Sequence, residues 1–137
     1  MMKKFSILLF ALAMIPAVQS CKKKQKEPEP TAKELITMDD WTLKNRKVYD
    51  SNDNLIIDEN PNLRWVFSPS NDFYFYDSAG DIYLYGTWEL LDDDSKIRIM
   101  EHGGGIDVTL DIDKLTNDEF TISHPYGSGK EVLYLER

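Results

Sequence analysis

The chain has 137 residues, 16 basic and 24 acidic side chains, a net charge of −8 and one cysteine. The length suits one domain of ordinary size. The acidity argues against a nucleic-acid partner, and a single cysteine excludes a disulfide within the chain.

Lys3 and Lys4 open the chain with positive charge, and Phe5 to Val18 is an almost wholly apolar run of fourteen residues. A membrane-spanning helix needs about 20 such residues. A secretory signal needs only about 7 to 15, with a small residue at the cut. Residues 1–20 are therefore expected to be a removed signal peptide, with Ser20 as the small residue. The run Val18-Gln19-Ser20-Cys21 resembles the signal of bacterial lipoproteins. That resemblance implies a lipid on Cys21 and a protein anchored to the outer membrane of a bacterial cell envelope, on its periplasmic or its surface face. Lipid attachment also accounts for a lone cysteine in an exported chain.

Residues 21–30 read as the anchored linker. Lys22 to Pro30 holds four lysines, two glutamates, two prolines and no apolar side chain. Such a stretch buries nothing and stays extended. It carries +2, whereas residues 31–137 hold ten basic and 22 acidic residues, or −12. Lysines beside a lipid favour an anionic membrane surface, and the acidic body is held off it.

The remaining 107 residues, 31–137, form the domain. Thr31-Ala32-Lys33-Glu34 has capping-box spacing ahead of Leu35 and Ile36, which predicts one short helix. From Trp41 onward the apolar period is two. Strands are expected at 41–49, 62–67, 72–76, 81–91, 95–100, 105–113, 119–123 and 131–136, with a short extra one at 54–58. Turn words separate them, among them "DSND", "SPSN", "SAGD", "DDDS" and "YGSG". Short strands joined by tight turns indicate an all-β antiparallel sandwich or barrel. Sequential hairpins favour an up-and-down barrel of about eight strands, whose interior holds side chains or one small ligand.

The helix, the Trp41-led first strand, "YGTWELLDDDSKIRI" and "LDIDKLTNDEFTI" resemble the small lipocalin-like lipoproteins of Gram-negative bacteria. The resemblance covers roughly residues 34–137 and rests on Gly86-x-Trp88, the acidic turn after it, and Leu115-Thr116 ahead of Phe120. It implies a lipocalin-like barrel, with or without a pocket, and often no known activity.

Motifs of catalysis and metal binding fail on their spacing. "HGGG" at 102–105 lacks a Gly-x-Ser-x-Gly partner. "GSGK" at 127–130 has His124 where a phosphate loop needs its first glycine, and a strand follows it where a helix should. "DSNDNLIIDE" has Leu55 and Pro61 where a calcium loop needs glycine and glutamate. His102 and His124 border loops without a metal partner at i+2 or i+4. No cofactor, metal or catalytic residue is assigned, and the protein is expected not to be an enzyme.

The aromatic hairpin "DFYFYDSAGDIYLYGTW" carries the functional signal. A two-residue turn at Ala79-Gly80 would set Phe73, Phe75, Ile82, Leu84 and Trp88 on the apolar face and Tyr74, Tyr76, Tyr83 and Tyr85 on the other. Two readings follow. In the first, the barrel binds a small hydrophobic or amphipathic ligand lined by Trp65, Phe67, Phe75 and Trp88. In the second, the core is packed and Tyr74, Tyr76, Tyr83 and Tyr85 meet an envelope protein or glycan.

Overall fold

A computed structural model describes residues 26–137. The expectations for the signal peptide and for Cys21 lie outside the described residues. Lys26 to Pro30 is exposed and without regular structure.

Helix α1 (Ala32–Thr37) is capped as its sequence predicts. The Thr31 hydroxyl accepts from the Glu34 backbone N–H, and the Glu34 carboxylate accepts from the Thr31 N–H at 2.7 Å. Nine strands follow: β1 (Trp41–Tyr49), β2 (Leu55–Glu59), β3 (Leu63–Phe67), β4 (Asp72–Tyr76), β5 (Ile82–Leu91), β6 (Lys96–Glu101), β7 (Asp107–Leu115), β8 (Glu119–Tyr126) and β9 (Gly129–Glu136). Neighbouring strands pair antiparallel from β3 through β9, and β1 joins β3 to β9. The result is a closed eight-stranded up-and-down barrel. Closure leaves these strands without a free edge.

Strand β2 is an appendage to the barrel. One edge of β1 pairs with β3 over Trp41–Leu43 and with β2 over Arg46–Tyr49. Strands β2 and β3 thus share that edge, broken by Asn60-Pro61-Asn62. Asn45 staples the break, its amide donating to Asp58 Oδ1 at 2.7 Å, the Glu59 carbonyl at 3.0 Å and Asn60 Oδ1 at 3.1 Å.

Three hairpins share one turn design. Asp50, Ser68 and Asp77 each accept from the residue three on, which takes the left-handed conformation: Asp53 (φ 60°), Asn71 (φ 71°) and Gly80 (φ 85°). Asp, Asn and Gly tolerate that region best.

One end of the barrel is plugged. Helix α1 lies across it, and Ile36 is fully buried. The Trp41 indole donates to the Ile36 carbonyl at 2.9 Å, and the Arg137 guanidinium stacks 3.9 Å from its ring. Arg137 also donates to the carbonyls of Leu35 and Asn117. Trp41, Phe67, Trp88, Ile97, Phe120, Ile122 and Leu135 fill this half. Their rings meet tilted or edge to face, with centroids 5.4 to 5.9 Å apart for Trp41–Phe120, Phe67–Trp88 and Phe67–Phe120. Those are favourable aromatic geometries.

Gly86 is a site of close approach. A Cβ there would lie 1.9 Å from the Met100 carbonyl oxygen, so glycine lets β5 and β6 cross tightly.

Candidate functional site

The half of the barrel opposite the plug is hollow. A cavity of about 390 Å³ is walled by Leu43, Trp65, Phe73, Phe75, Leu84 and Leu133, with Ile99, Val108 and Leu110 from β6 and β7 completing it. Tyr83 and Ile106 also line it and are 72% and 41% exposed, so it reaches the surface between the β4–β5 and β6–β7 loops. A volume of this size lies within the range of small-molecule sites.

One side of the cavity is polar. Glu131 on β9, 8% exposed, is the one buried charged residue among those described. Its Oε2 faces His124 Nε2 at 2.5 Å, and its Oε1 accepts from Arg46 Nε. Arg46 Nη1 donates to Glu59 on β2 at 3.0 Å. Arg46, His124 and Glu131 all line the cavity. Burial works against the charge on Arg46, but the hydrogen bonds it donates to Glu131 and Glu59, with their negative charges, outweigh it and hold its pKa above the ordinary guanidinium value. Arg46 is therefore a permanent cation shared by two carboxylates. Among the described residues no hydroxyl bonds to His124, and no group of three His, Cys, Asp or Glu side chains is placed to hold a metal.

Parity explains how these residues meet. Inward positions on β8 run Phe120, Ile122, His124, and on β9 Glu131, Leu133, Leu135. His124 and Glu131 are cross-strand partners. On β1, strict alternation after Trp41 and Leu43 would turn Asn45 and Lys47 inward. A bulge between Leu43 and Asn45 shifts the register, so Arg46 stands opposite Leu133 and Val48 opposite Glu131. The extra residue reverses the parity and brings Arg46 into the barrel.

Of the four aromatic residues expected to line a pocket, Trp65 and Phe75 do so. Phe67 and Trp88 lie below the cavity in the packed half, where Trp88 Nε1 donates to the Ser68 carbonyl at 3.0 Å. The Trp65 indole N–H is buried and has no hydrogen-bond partner among the described residues.

The four tyrosines do not form one platform. Tyr74 and Tyr85 stack with centroids 5.0 Å apart, and Tyr85 packs on His102 at 4.4 Å. Tyr76 lies 3.9 Å beneath the Arg64 guanidinium. Tyr83 meets Phe75 edge to face at 5.7 Å and belongs to the cavity mouth. Phe73–Gly86, Tyr74–Tyr85 and Phe75–Leu84 pair as a two-residue turn at Ala79-Gly80 would have them, but Tyr76 pairs with Ile82. The turn holds three residues, Ser78, Ala79 and Gly80, closed by Asp77 N–H donating to the Asp81 carbonyl at 2.9 Å. Tyr83 is then an extra residue, which turns it to the mouth and leaves Ile82 exposed.

An antiparallel barrel plugged by a helix at one end and hollow at the other is a lipocalin-like fold. Comparison with solved structures agrees. The chain is similar to a lipocalin-like protein from Bacteroides uniformis ATCC 8492, with TM-score 0.53 and 11% identity over 72% of this chain and 96% of that one. It is also similar to an uncharacterized protein from Bacteroides eggerthii DSM 20697, with TM-score 0.50 and 12% identity over 72% and 97%. At these identities the likeness is one of fold. No protein-family model matches the chain, and no curated protein does.

Proposed function

We propose that this protein binds a small hydrophobic or amphipathic molecule inside its barrel, and does so as a lipid-anchored lipoprotein of the bacterial cell envelope. The observation that carries the reading is the cavity of about 390 Å³, apolar on most sides and polar on one. A well-packed interior holds few voids larger than a water molecule, so a space of this size is a feature to be explained. The reading is of a binder, not a catalyst. The alternative, a protein- or glycan-binding tyrosine face, draws less support because Tyr74, Tyr76, Tyr83 and Tyr85 divide among three surroundings.

The anchor rests on the sequence around Cys21. The linker enters α1, which lies across the plugged end. A lipid at Cys21 would therefore tether the protein by its base, leaving the mouth at the far end.

Tryptophan emission tests the binding reading. Trp65 lines the cavity, whereas Trp41 and Trp88 lie in the packed base. Titration with medium-chain amphiphiles should change the emission of the native protein, and Trp65→Phe should abolish most of the change. Emission indifferent to every amphiphile, together with native mass spectra showing no retained small molecule, would refute the binding reading. An intact mass without acyl chains on Cys21 would refute the anchor alone.

A further inference from the structure

The polar side of the cavity constrains the chemistry of its occupant. Glu59, Arg46 and Glu131 form a chain of ion pairs with two negative charges and one positive, so with a neutral imidazole the cluster carries −1. The Glu131 carboxylate accepts from His124 Nε2, which leaves Nδ1 of a neutral ring as an acceptor. Each Glu131 oxygen keeps a second lone pair. Arg46 has committed Nε and Nη1 to carboxylates and keeps Nη2. The loops around this end add Asp50, Asp53, Asp77 and Asp81, of which Asp53 is within 3.7 Å of Lys130. An anionic head would meet a guanidinium already shared by two carboxylates, in an acidic surround. A donor head would find free lone pairs.

We infer that the ligand of this cavity is a non-anionic amphiphile, its hydroxyl or amine head donating hydrogen bonds to the Glu131–His124 pair and its apolar body lying against Trp65, Phe75 and Leu84. The inference rests on the ligand-binding reading and specifies the chemical class that the same site takes. The cavity sets the size. A volume of about 390 Å³ corresponds to roughly a dozen water-sized atoms at the ~30 Å³ each occupies in the liquid. A ten-carbon chain with a small head fits that size.

The experiment is calorimetric titration of the native protein at pH 8 with 1-decanol, decylamine and decanoate, which share a chain and differ in the head. Decanol and decylamine should bind at least about tenfold more tightly than decanoate, since like charges placed together oppose association strongly. Glu131→Gln should raise decanoate affinity relative to decanol by about the same factor. Glu59→Gln, at a more exposed position, repeats the charge removal in a variant that leaves the buried pair in place. Decanoate binding as tightly as decanol, or a ranking unmoved by Glu59→Gln, would overturn the head-group assignment and leave ligand binding standing. Failure of all three to bind would overturn both.

Discussion

Removing the buried carboxylate should cost more than removing the whole ion pair. Glu131 makes two hydrogen bonds, to Arg46 and to His124, with side chains 24% and 20% exposed. A hydrogen bond to a charged group contributes about 1.5 to 3 kcal/mol. Taking the lower figure for each, because solvent reaches both partners, Glu131→Leu should lose about 3 kcal/mol. For a domain near 107 residues that lowers the melting temperature by about 12 to 18 °C, at about 4 to 6 °C per kcal/mol. Arg46→Leu should cost a comparable amount, because it leaves Glu131 buried with the imidazole alone. The double variant Arg46→Leu/Glu131→Leu removes both charges and fills the site with apolar volume, an exchange that is often neutral or better. Urea unfolding of the four proteins gives the coupling energy directly. The double variant should recover at least about 2 kcal/mol relative to the sum of the singles. Strict additivity would show that Arg46 and Glu131 do not act as a pair, and would remove the physical basis for a charged side to the cavity.

Gly86→Ala should destabilise the barrel by about 2 to 4 kcal/mol without touching the cavity wall, because its Cβ would lie 1.9 Å from the Met100 carbonyl oxygen. A melting temperature within a degree of the parent would mean that β5 and β6 can separate there freely. Acid should also weaken the fold. The Asp107 carboxyl is held below its usual range by hydrogen bonds from Arg98, Glu34 by the Thr31 backbone and hydroxyl, and Asp50 by Asn54. A lowered folded-state pKa gives stability that is complete above the ordinary carboxylate value of about 4 and is lost as pH falls through the folded-state value. Thermal melts should therefore decline below about pH 4, and less steeply in Asp107→Asn. Equal slopes would assign the decline to other carboxylates.

The barrel was legible because its strands obey period two and its turns carry their chemistry openly. Every predicted strand has a counterpart, and 41–49 and 72–76 match residue for residue. Asp53, Asn71 and Gly80 mark their turns because few residues accept a left-handed backbone. The cavity was legible only in part. Trp65 and Phe75 line it, but alternation says on which face a side chain lies and not how far along the barrel axis it sits. Phe67 and Trp88 share that face yet belong to the packed base. His124 and Glu131 did leave a signal, since each continues an apolar inward series, Phe120-Ile122 and Leu133-Leu135, with a polar residue. Arg46 left none, because its inward position depends on the bulge at the end of Leu43's pairing.

That contrast bears on how such a barrel acquires a site. In the plugged half aromatic rings are in contact, an irregularity between Ile112 and Lys114 interrupts the pairing of β7 with β8, and the indoles of Trp41 and Trp88 are satisfied by backbone carbonyls. In the hollow half two departures from alternation change which side chains face the interior. The irregularity in β1 turns a guanidinium inward, and the one in β5 moves Tyr83 from the outer face to the mouth. An irregularity of one residue changes which side chains face the interior while leaving the hydrogen-bonded frame on either side intact. Binding chemistry can therefore be altered in the hollow half without disturbing the packing that holds the plugged half together. Trp65→Phe and Glu59→Gln should accordingly leave the melting temperature close to that of the parent while changing what the cavity takes up. A substitution of Trp41 or Trp88 should do the reverse.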